Sequence, residues 1–324
     1  MTTAGLSHPG DQVPARVVVF GPHPVLTVTL EREGEQRESV HFHAGGQRVW
    51  VARMVACLGA TPVLCGFLGG ESGTLLRTLL EQLEGELRLV STATPSGSYV
   101  TDRRSGEREL VGMALSDPPS RHEVDELFSR TCAEAIADGW LVVANPLPDE
   151  SLPLEIYGDL VADARAGGAR VLVDLSSPRL DSALRGRPDL VKLNDWQLAQ
   201  YVNGPVSQPA RLRAAAERLR AEGAGAVLVT RGQQPGLLLS GEGAWELTPP
   251  RLERGFREGC GDAMMGALAA SWAGGATLQQ AVRVGAAAGA ANFMRRGLGG
   301  ASREVVERLL DSVALMPLRA ARAV

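Results

Sequence analysis

The sequence has few aromatic residues, few cysteines and no surplus of basic charge. Aromatic residues make up 4% of the 324 residues, and the formal net charge is -4. No basic stripe interleaved with aromatic residues occurs, so nucleic acid is not an expected partner. The four cysteines, Cys57, Cys65, Cys132 and Cys260, have no CxxC spacing, and neither a zinc knuckle nor a disulfide framework is predicted. We expect reduced thiols, as in cytosolic proteins.

Long apolar runs are also missing. The longest uncharged stretch, residues 263–282, consists mainly of small and polar residues and contains Gly274 and Gly275, so it is not predicted to span a membrane. Residues 1–15 lack both the basic and the apolar region of a secretory signal, and we expect a disordered tail there. These absences predict a soluble, cytoplasmic protein without membrane partners.

What the sequence does contain is a regular alternation of strand-like and helical segments. From residue 140 onward, the apolar runs "WLVVAN", "RVLVDLS" and "AVLVTRG" are separated by amphipathic helical patterns and glycines. This alternation is typical of a parallel sheet covered by helices on both faces. We therefore predict an α/β fold with a doubly wound, mostly parallel sheet flanked by helices. The last third is predicted to be helical over 263–273, 277–294 and 302–312.

Two regions interrupt this alternation. Residues 24–44 and 97–114 show a period of two with polar turns, which predicts short strands. They could pair into a small β sheet outside the main one, forming a lid, or could remain two surface hairpins. No internal repeat and no Pro- or Ser-rich linker is present, so a single domain over residues 16–318 is predicted.

The stretch "GCGDAMMGAL" places an acidic residue among glycines just before an apolar helix. Gly259 and Gly261 can adopt positive φ, and the amides of Cys260, Gly261 and Asp262 would then form a concave set of donors for an anion. The helix end should favour the ionised form of Asp262, which suits a group that accepts a proton. The alternative is an ordinary turn with an aspartate cap. No GxxxxGK[ST] motif occurs, and no GxGxxG follows the first strand.

Five blocks of the sequence resemble the PfkB, or ribokinase-like, carbohydrate kinases over residues 16–316. They are "AGGQRVWVARMVACLGATPVLCGFLGGESG", "RPDLVKLNDWQL", "VLVTRGQQPGLLL", "GCGDAMMGAL" and "GAAAGAANFMRRGLGG". Within the family, the 1-phosphofructokinases and tagatose-6-phosphate kinases look most similar. The resemblance implies a kinase that transfers the γ-phosphate of ATP to a hydroxyl of a small molecule, with Mg²⁺ and allowing for a monovalent cation. It also implies a homodimer through the lid.

The resemblance assigns roles to individual residues on the nucleotide side. Asp262 matches the catalytic base, and the anion hole corresponds to Gly259, Cys260 and Gly261. The residues that match the ATP-binding positions are Asn194, Thr230, Gly232 and Asn292.

The sequence departs from the family pattern on the acceptor side. Gly45 and Gly46 are retained, but Gln47 and Trp50 stand where the family has a lysine and an asparagine, and Arg48 replaces a glycine. Thr27 stands where close relatives have an acidic residue, and the phosphate-clamping strand reads "PSGS". Arg48 could replace the missing cation or fill the pocket, and Trp50 could stack on a ring or pack in the core. The acceptor is therefore predicted to be an unphosphorylated sugar, a polyol or a nucleoside-like ring.

One departure concerns the metal. The family motif NxxE, whose glutamate orders water around Mg²⁺, ends here in Gln197, a neutral acceptor that would hold a hydrated cation more weakly. A nucleotide-binding pseudokinase with a sensor or scaffold role is therefore the second hypothesis, and an interaction module that binds no nucleotide is the third. Two further residues stay open. Asp174 could lie near the phosphates or cap a turn. Cys260 should have a lowered pKa at a helix start, although a small filler is the preferred interpretation.

Overall fold

The computed structural model describes residues 14–34, 37–145, 152–295 and 301–318. The expected tail of residues 1–15 lies almost entirely outside them. The described part of the chain contains fourteen strands: β1 (Arg16–Phe20), β2 (Val25–Glu33), β3 (Arg37–Gly45), β4 (Thr61–Gly69), β5 (Glu86–Thr92), β6 (Ser98–Asp102), β7 (Glu109–Ala114), β8 (Trp140–Ala144), β9 (Arg170–Asp174), β10 (Leu190–Asn194), β11 (Ala226–Arg231), β12 (Gln234–Ser240), β13 (Gly243–Thr248) and β14 (Ala314–Pro317).

Ten helices connect these strands within the same described ranges. They are α1 (Gln47–Cys57), α2 (Gly70–Leu80), α3 (Arg121–Asp138), α4 (Glu155–Ala166), α5 (Arg179–Arg185), α6 (Asp195–Tyr201), α7 (Pro209–Ala221), α8 (Cys260–Ala273), α9 (Leu278–Phe293) and α10 (Arg303–Leu310).

The main sheet has ten strands in the order β14-β13-β12-β11-β10-β9-β8-β1-β4-β5. In this order, the seven neighbouring strands β11, β10, β9, β8, β1, β4 and β5 run parallel. Strands β12, β13 and β14 extend the sheet in antiparallel pairing. Their Val- and Leu-rich sequences are buried because helices cover both faces: α3 to α7 lie on one side and α1, α2, α8, α9 and α10 on the other. The predicted doubly wound, mostly parallel α/β fold is confirmed.

A second sheet of four strands, β3-β2-β6-β7, stands apart from the main one. Its strands come from the two regions in which the sequence shows a period of two, so those regions pair with each other instead of forming isolated hairpins. Large apolar side chains remain exposed on this sheet, among them Val40 (54%), Phe42 (49%) and Met113 (50%). The sheet therefore presents apolar surface to its surroundings.

The helices of the last third begin and end close to the predicted residues. Thr277 caps α9 through a reciprocal capping box with Gln280, and Ser302 caps α10 through the Val305 amide. α8 packs against α1, where Gly266 leaves room for the Val51 carbonyl oxygen. No described helix combines the length and the apolar character that crossing a membrane requires.

Candidate active site

Asp262 lies in the first turn of α8, after Gly259, which caps the helix with φ 75°. The carboxyl group is buried, with 6% of the residue exposed. Burial raises the pKa of Asp262 to about 7, and Asp174 adds to the shift, whereas Lys192 and Arg48 oppose it. The backbone at the helix start lowers the pKa, as expected, but desolvation outweighs it, so the pKa is raised overall. An aspartate with a pKa near neutrality can take and release a proton.

Asp174 and Lys192 form a buried ion pair next to Asp262. Lys192 Nζ lies 2.5 Å from an Asp174 carboxylate oxygen, and their side chains are 5% and 10% exposed. A methyl group on Gly261 would lie 2.7 Å from Lys192 Nζ, so the absence of a side chain there lets the ammonium approach the start of α8. Asp174 thus belongs to this cluster, and its proximity to bound phosphates stays a prediction.

The sequence-based reasoning missed Lys192, which is the single lysine of the chain. Its signal is a charged residue inside "DLVKLN", a strand that is otherwise apolar. A buried lysine requires a carboxylate partner. The adjacent parallel strand β9 ends in Asp174, the only acid in Arg170–Asp174.

Asn292 joins α9 to the start of α8. Its side-chain amide donates a hydrogen bond to the Glu258 carbonyl oxygen at 2.9 Å and lies 3.5 Å from Cys260 Sγ. Burial raises the pKa of Cys260, with Asn292 lowering it by less, so the lowered pKa considered for a cysteine at a helix start is wrong. The thiol acts as a small filler between the two helices.

Three further residues of the predicted nucleotide side lie where β10 and β11 end. Asn194 and Thr230 are directly paired neighbours in the sheet, and Gly232 follows with φ 59°. Asn194 and Gln197 form a capping box at the start of α6, in which Gln197 Oε1 accepts a hydrogen bond from the backbone N–H of Asn194 at 2.8 Å. These residues lie at the carboxyl edge of the parallel strands, where such sheets bind ligands.

On the acceptor side, α1 begins after Gly45 and Gly46, and Gly46 has φ 99°. Thr27 Oγ1 lies close to Gly45, and there is no room for a side chain at that position. Gln47 Oε1 is buried without a hydrogen-bond partner in the described part of the chain. Trp50 is half-buried on α1. Gly45 thus offers only backbone, and Gln47 offers a neutral amide oxygen, instead of a charged group.

Arg48 spans the acceptor side. The residue is 3% exposed, and its guanidinium donates a hydrogen bond to the Asn145 carbonyl oxygen at 2.6 Å, just after β8. Arg48 also lowers the pKa of Asp262, so the two side chains lie within electrostatic range of each other. The starts of α1 and α8 therefore face one shared region at the edge of the sheet.

The residues present fit a magnesium nucleotide. Within the described ranges, no group of three or more His, Cys, Asp and Glu side chains could hold a metal ion by itself. Mg²⁺ in phosphoryl-transfer sites is held by one or two carboxylates together with phosphate oxygens and water. Asp174 supplies such a carboxylate beside a glycine-lined helix start that suits phosphate oxygens.

Comparison with known proteins agrees with this geometry. The model of the "pfkB family carbohydrate kinase" matches residues 16–304. The chain is 31% identical to the ATP-dependent 6-phosphofructokinase isozyme 2 of Escherichia coli over 84% of this chain and 89% of that protein. It is 32% identical to the 1-phosphofructokinase of Rhodobacter capsulatus over 69% of this chain and 72% of the other.

Solved structures show the same relationship. The crystal structure of Escherichia coli phosphofructokinase-2 in complex with potassium superposes with a TM-score of 0.80 at 26% identity, covering 92% of this chain and 99% of that one. Arabidopsis thaliana ribokinase shares the fold at 18% identity, with a TM-score of 0.71 over 92% of this chain and 99% of its own. With its fold, its glycine–aspartate turn and these matches, the chain belongs to the PfkB family of carbohydrate kinases.

Proposed function

We propose that this protein is an ATP-dependent kinase that phosphorylates a hydroxyl group of a sugar or sugar-like molecule. The observation that carries the proposal is the buried Asp262 at the start of α8, with a pKa raised to about 7, beside the Lys192–Asp174 ion pair. Bound ATP would supply the phosphoryl group. The relatives named above are sugar-phosphate kinases, which supports the same reaction class.

In this proposal each group of the site has one task. Asp262, in its ionised form, accepts the proton of the acceptor hydroxyl. Lys192 Nζ and the amides of Gly259, Cys260 and Gly261 offer positive charge and hydrogen-bond donors to phosphate oxygens. Asn194, Thr230, Gly232 and Asn292 line the nucleotide side. Gln197 takes part only through water, since its oxygen already accepts a bond from the Asn194 amide.

The acceptor side is proposed to select a hydroxyl compound with the help of Arg48. Its guanidinium, buried between the start of α1 and the end of β8, is the only cation that the segment 45–50 offers, because Gln47 is neutral. The unpartnered Gln47 Oε1 would accept a hydrogen bond from an acceptor hydroxyl. We favour an acceptor without the usual terminal phosphate, because the neutral Gln47 stands where the family has a lysine.

A screen for ADP release across sugars, polyols, nucleosides and sugar phosphates tests this function. Turnover that requires both an acceptor and Mg²⁺ is the expected result. If ATP stabilises the protein against heat but no acceptor is turned over, the protein is a nucleotide-binding pseudokinase instead. If the preferred acceptors are fructose 6-phosphate or fructose 1-phosphate, the proposed acceptor class is wrong while the kinase function stands.

The same screen covers the monovalent cation. Potassium accompanies the phosphofructokinase-2 of Escherichia coli in one solved structure. Replacing K⁺ by tetramethylammonium at constant ionic strength should lower kcat if the cation participates here too. Unchanged kcat would remove the cation from the proposal.

The small sheet is proposed to pair with the same sheet of a second copy. Val40 and Phe42 are exposed on β3, opposite Leu30 and Val28 of β2 on the same face. An apolar face of this kind is typical of a protein–protein contact. Light scattering should show a dimer for the unmodified protein and a monomer for Phe42→Glu, whereas the exposed control Arg77→Glu should stay dimeric. A monomeric unmodified protein would contradict the pairing.

A further inference from the structure

A cavity of about 420 Å³ lies between α1 and the end of α2, outside the region around Asp262. Its α1 wall consists of Val49, Arg53, Ala56 and Cys57, whose spacing places them on one face of the helix. The opposite wall comes from the last turn of α2 and the segment after it. This volume lies within the range of small-molecule sites, roughly 300–1,000 Å³.

Arg53 brings an unbalanced charge to this cavity. In the described part of the chain, its guanidinium forms no hydrogen bond and no ion pair, although Glu84 also lines the cavity. Burial lowers the pKa of Arg53, which shows that the guanidinium has lost much of its hydration. A partly desolvated cation without a partner is unfavourable, and an incoming anion would restore charge-assisted hydrogen bonds.

Two further arginines lie near the cavity, and one of them, Arg303, forms an ion pair with Glu307. Burial raises the pKa of the Cys57 thiol in the cavity wall, and Arg295 and Arg303 oppose that shift, so both lie within electrostatic range of its sulfur. The remaining walls are largely apolar, with Val49 and Leu80 almost fully buried. The cavity thus combines the Arg53 guanidinium, one acidic residue, Glu84, and largely apolar walls.

We propose that this cavity binds a small organic anion, a phosphate monoester or a carboxylate attached to a short apolar group, with Arg53 as its charged partner. The apolar group lies against the walls of α1 and α2, and the anionic head lies at the guanidinium. This site does not depend on the proposed kinase function, because it shares no lining residue with the cluster around Asp262.

Cys57 provides a direct reporter of occupancy. Its alkylation by iodoacetamide is followed by peptide mass spectrometry with phenyl phosphate, with benzoate or with neutral benzyl alcohol at equal millimolar concentration. We expect a several-fold slower alkylation with at least one anion and no change with benzyl alcohol. Cys260, the other half-buried thiol, is followed in parallel, because its protection would report anion binding at the start of α8 and not in this cavity. The two anions distinguish a phosphate site from a carboxylate site.

Matched variants separate this site from general effects. Arg53→Gln should abolish the protection of Cys57, Arg53→Lys should keep part of it, and the exposed control Arg77→Gln should leave it unchanged. Ala56→Leu fills the cavity while keeping the charge and should also abolish protection, so it decides the question if Arg53→Gln does not fold. The proposal is overturned if neither anion protects Cys57 in the unmodified protein, or if protection persists in Arg53→Gln or Ala56→Leu.

Discussion

The helices α1 and α8 begin in the same way but carry different chemistry. Each follows a glycine with positive φ, 99° at Gly46 and 75° at Gly259, and the two helices pack against each other. At α8 an ionisable carboxyl group lies beside a lysine that already has its own carboxylate partner. At α1 a buried amide oxygen of Gln47 has no partner within the described residues.

At α8 the protein pairs its own buried charges, whereas at α1 a ligand would supply the hydrogen bond to Gln47 Oε1. A buried acceptor without a hydrogen bond costs about 1–3 kcal/mol. Gln47 Oε1 can therefore accept a hydrogen bond from a ligand hydroxyl, whereas the Lys192–Asp174 pair balances its charges internally. In the proposed site, the residues that resemble the family pattern lie on the nucleotide side, and those that depart from it lie on the proposed acceptor side.

The largest expected effect is on the α8 side. Asp262→Asn removes the proton acceptor and should lower kcat by roughly 10²–10⁴-fold, since that is the usual contribution of a general base. The matched control is Glu304→Gln, an exposed acid in the first turn of α10. Initial rates of ADP release measure both variants. Full activity in Asp262→Asn would remove the distinction between the two helix starts.

The ion pair should matter for stability as well as activity. Lys192→Met leaves Asp174 buried without a partner, which should lower the free energy of unfolding by about 3–5 kcal/mol. The double variant Lys192→Met/Asp174→Leu should regain most of that stability but no activity. Urea denaturation measures the first quantity. If the double variant is as unstable as Lys192→Met, the lost stability does not come from breaking the Lys192–Asp174 ion pair.

Activity should depend on pH through Asp262. The base is active when ionised, so kcat/KM should rise up to about pH 7 and fall roughly tenfold per unit below it. The pKa in the folded protein lies above the unfolded value, so protonated Asp262 stabilises the fold below about pH 4, and that contribution is lost as pH rises through 7. The stability of Asp262→Asn relative to the unmodified protein should therefore increase as pH rises from about 4 to about 7. If the difference in stability between Asp262→Asn and the unmodified protein does not change with pH, the raised pKa of Asp262 is contradicted.

The contact between the two helices can be tested independently of the chemistry. A methyl group on Gly266 would overlap the Val51 carbonyl oxygen and lie 2.9 Å from Met54 Cβ. Gly266→Ala should cost about 1–3 kcal/mol, as overpacking typically does. Gly112→Ala is the control, because a methyl group there meets nothing within 4 Å. Equal thermal midpoints for the two variants would show that α1 and α8 can move apart.

The smallest expected effect is on the acceptor side. If Arg48 contacts the acceptor, Arg48→Met should raise the KM for the acceptor about tenfold, equivalent to about 1.4 kcal/mol, with little change in the KM for ATP. The exposed Arg77→Met is the matched control. A lower acceptor KM in Arg48→Met would show instead that the arginine fills space. Steady-state kinetics with both substrates varied distinguishes these results.

The fold was predictable because its signals are local. Val- and Leu-rich strands, glycine stops and capping residues such as Thr277 follow from backbone and solvent preferences that act within a few residues. The sequence also predicted strands in residues 24–44 and 97–114 but left their pairing open, and elements such as α3, β5 and β14 were not predicted. Only the pairing of distant strands shows that residues 24–44 and 97–114 form one sheet.

The charges of the site were harder to predict, because they depend on contacts between distant segments. The helix start alone favours an ionised Asp262, and only the packing of α8 onto the sheet shows that burial dominates. Asp174 and Lys192 are 18 residues apart, and their pairing follows from the parallel register of β9 and β10. The same limitation applies to Arg53, whose lack of a partner among the described residues depends on how α1 and α2 pack.

Because Lys192 is the single lysine of the chain, lysine side-chain chemistry is confined to one place, the interior of the candidate site. Reagents and modifying enzymes that target lysine side chains therefore find nothing on the surface to react with, since this residue is 4% exposed. Acylation at Lys192 would report a transient opening of the sheet edge, and its rate would measure how often that edge admits solvent.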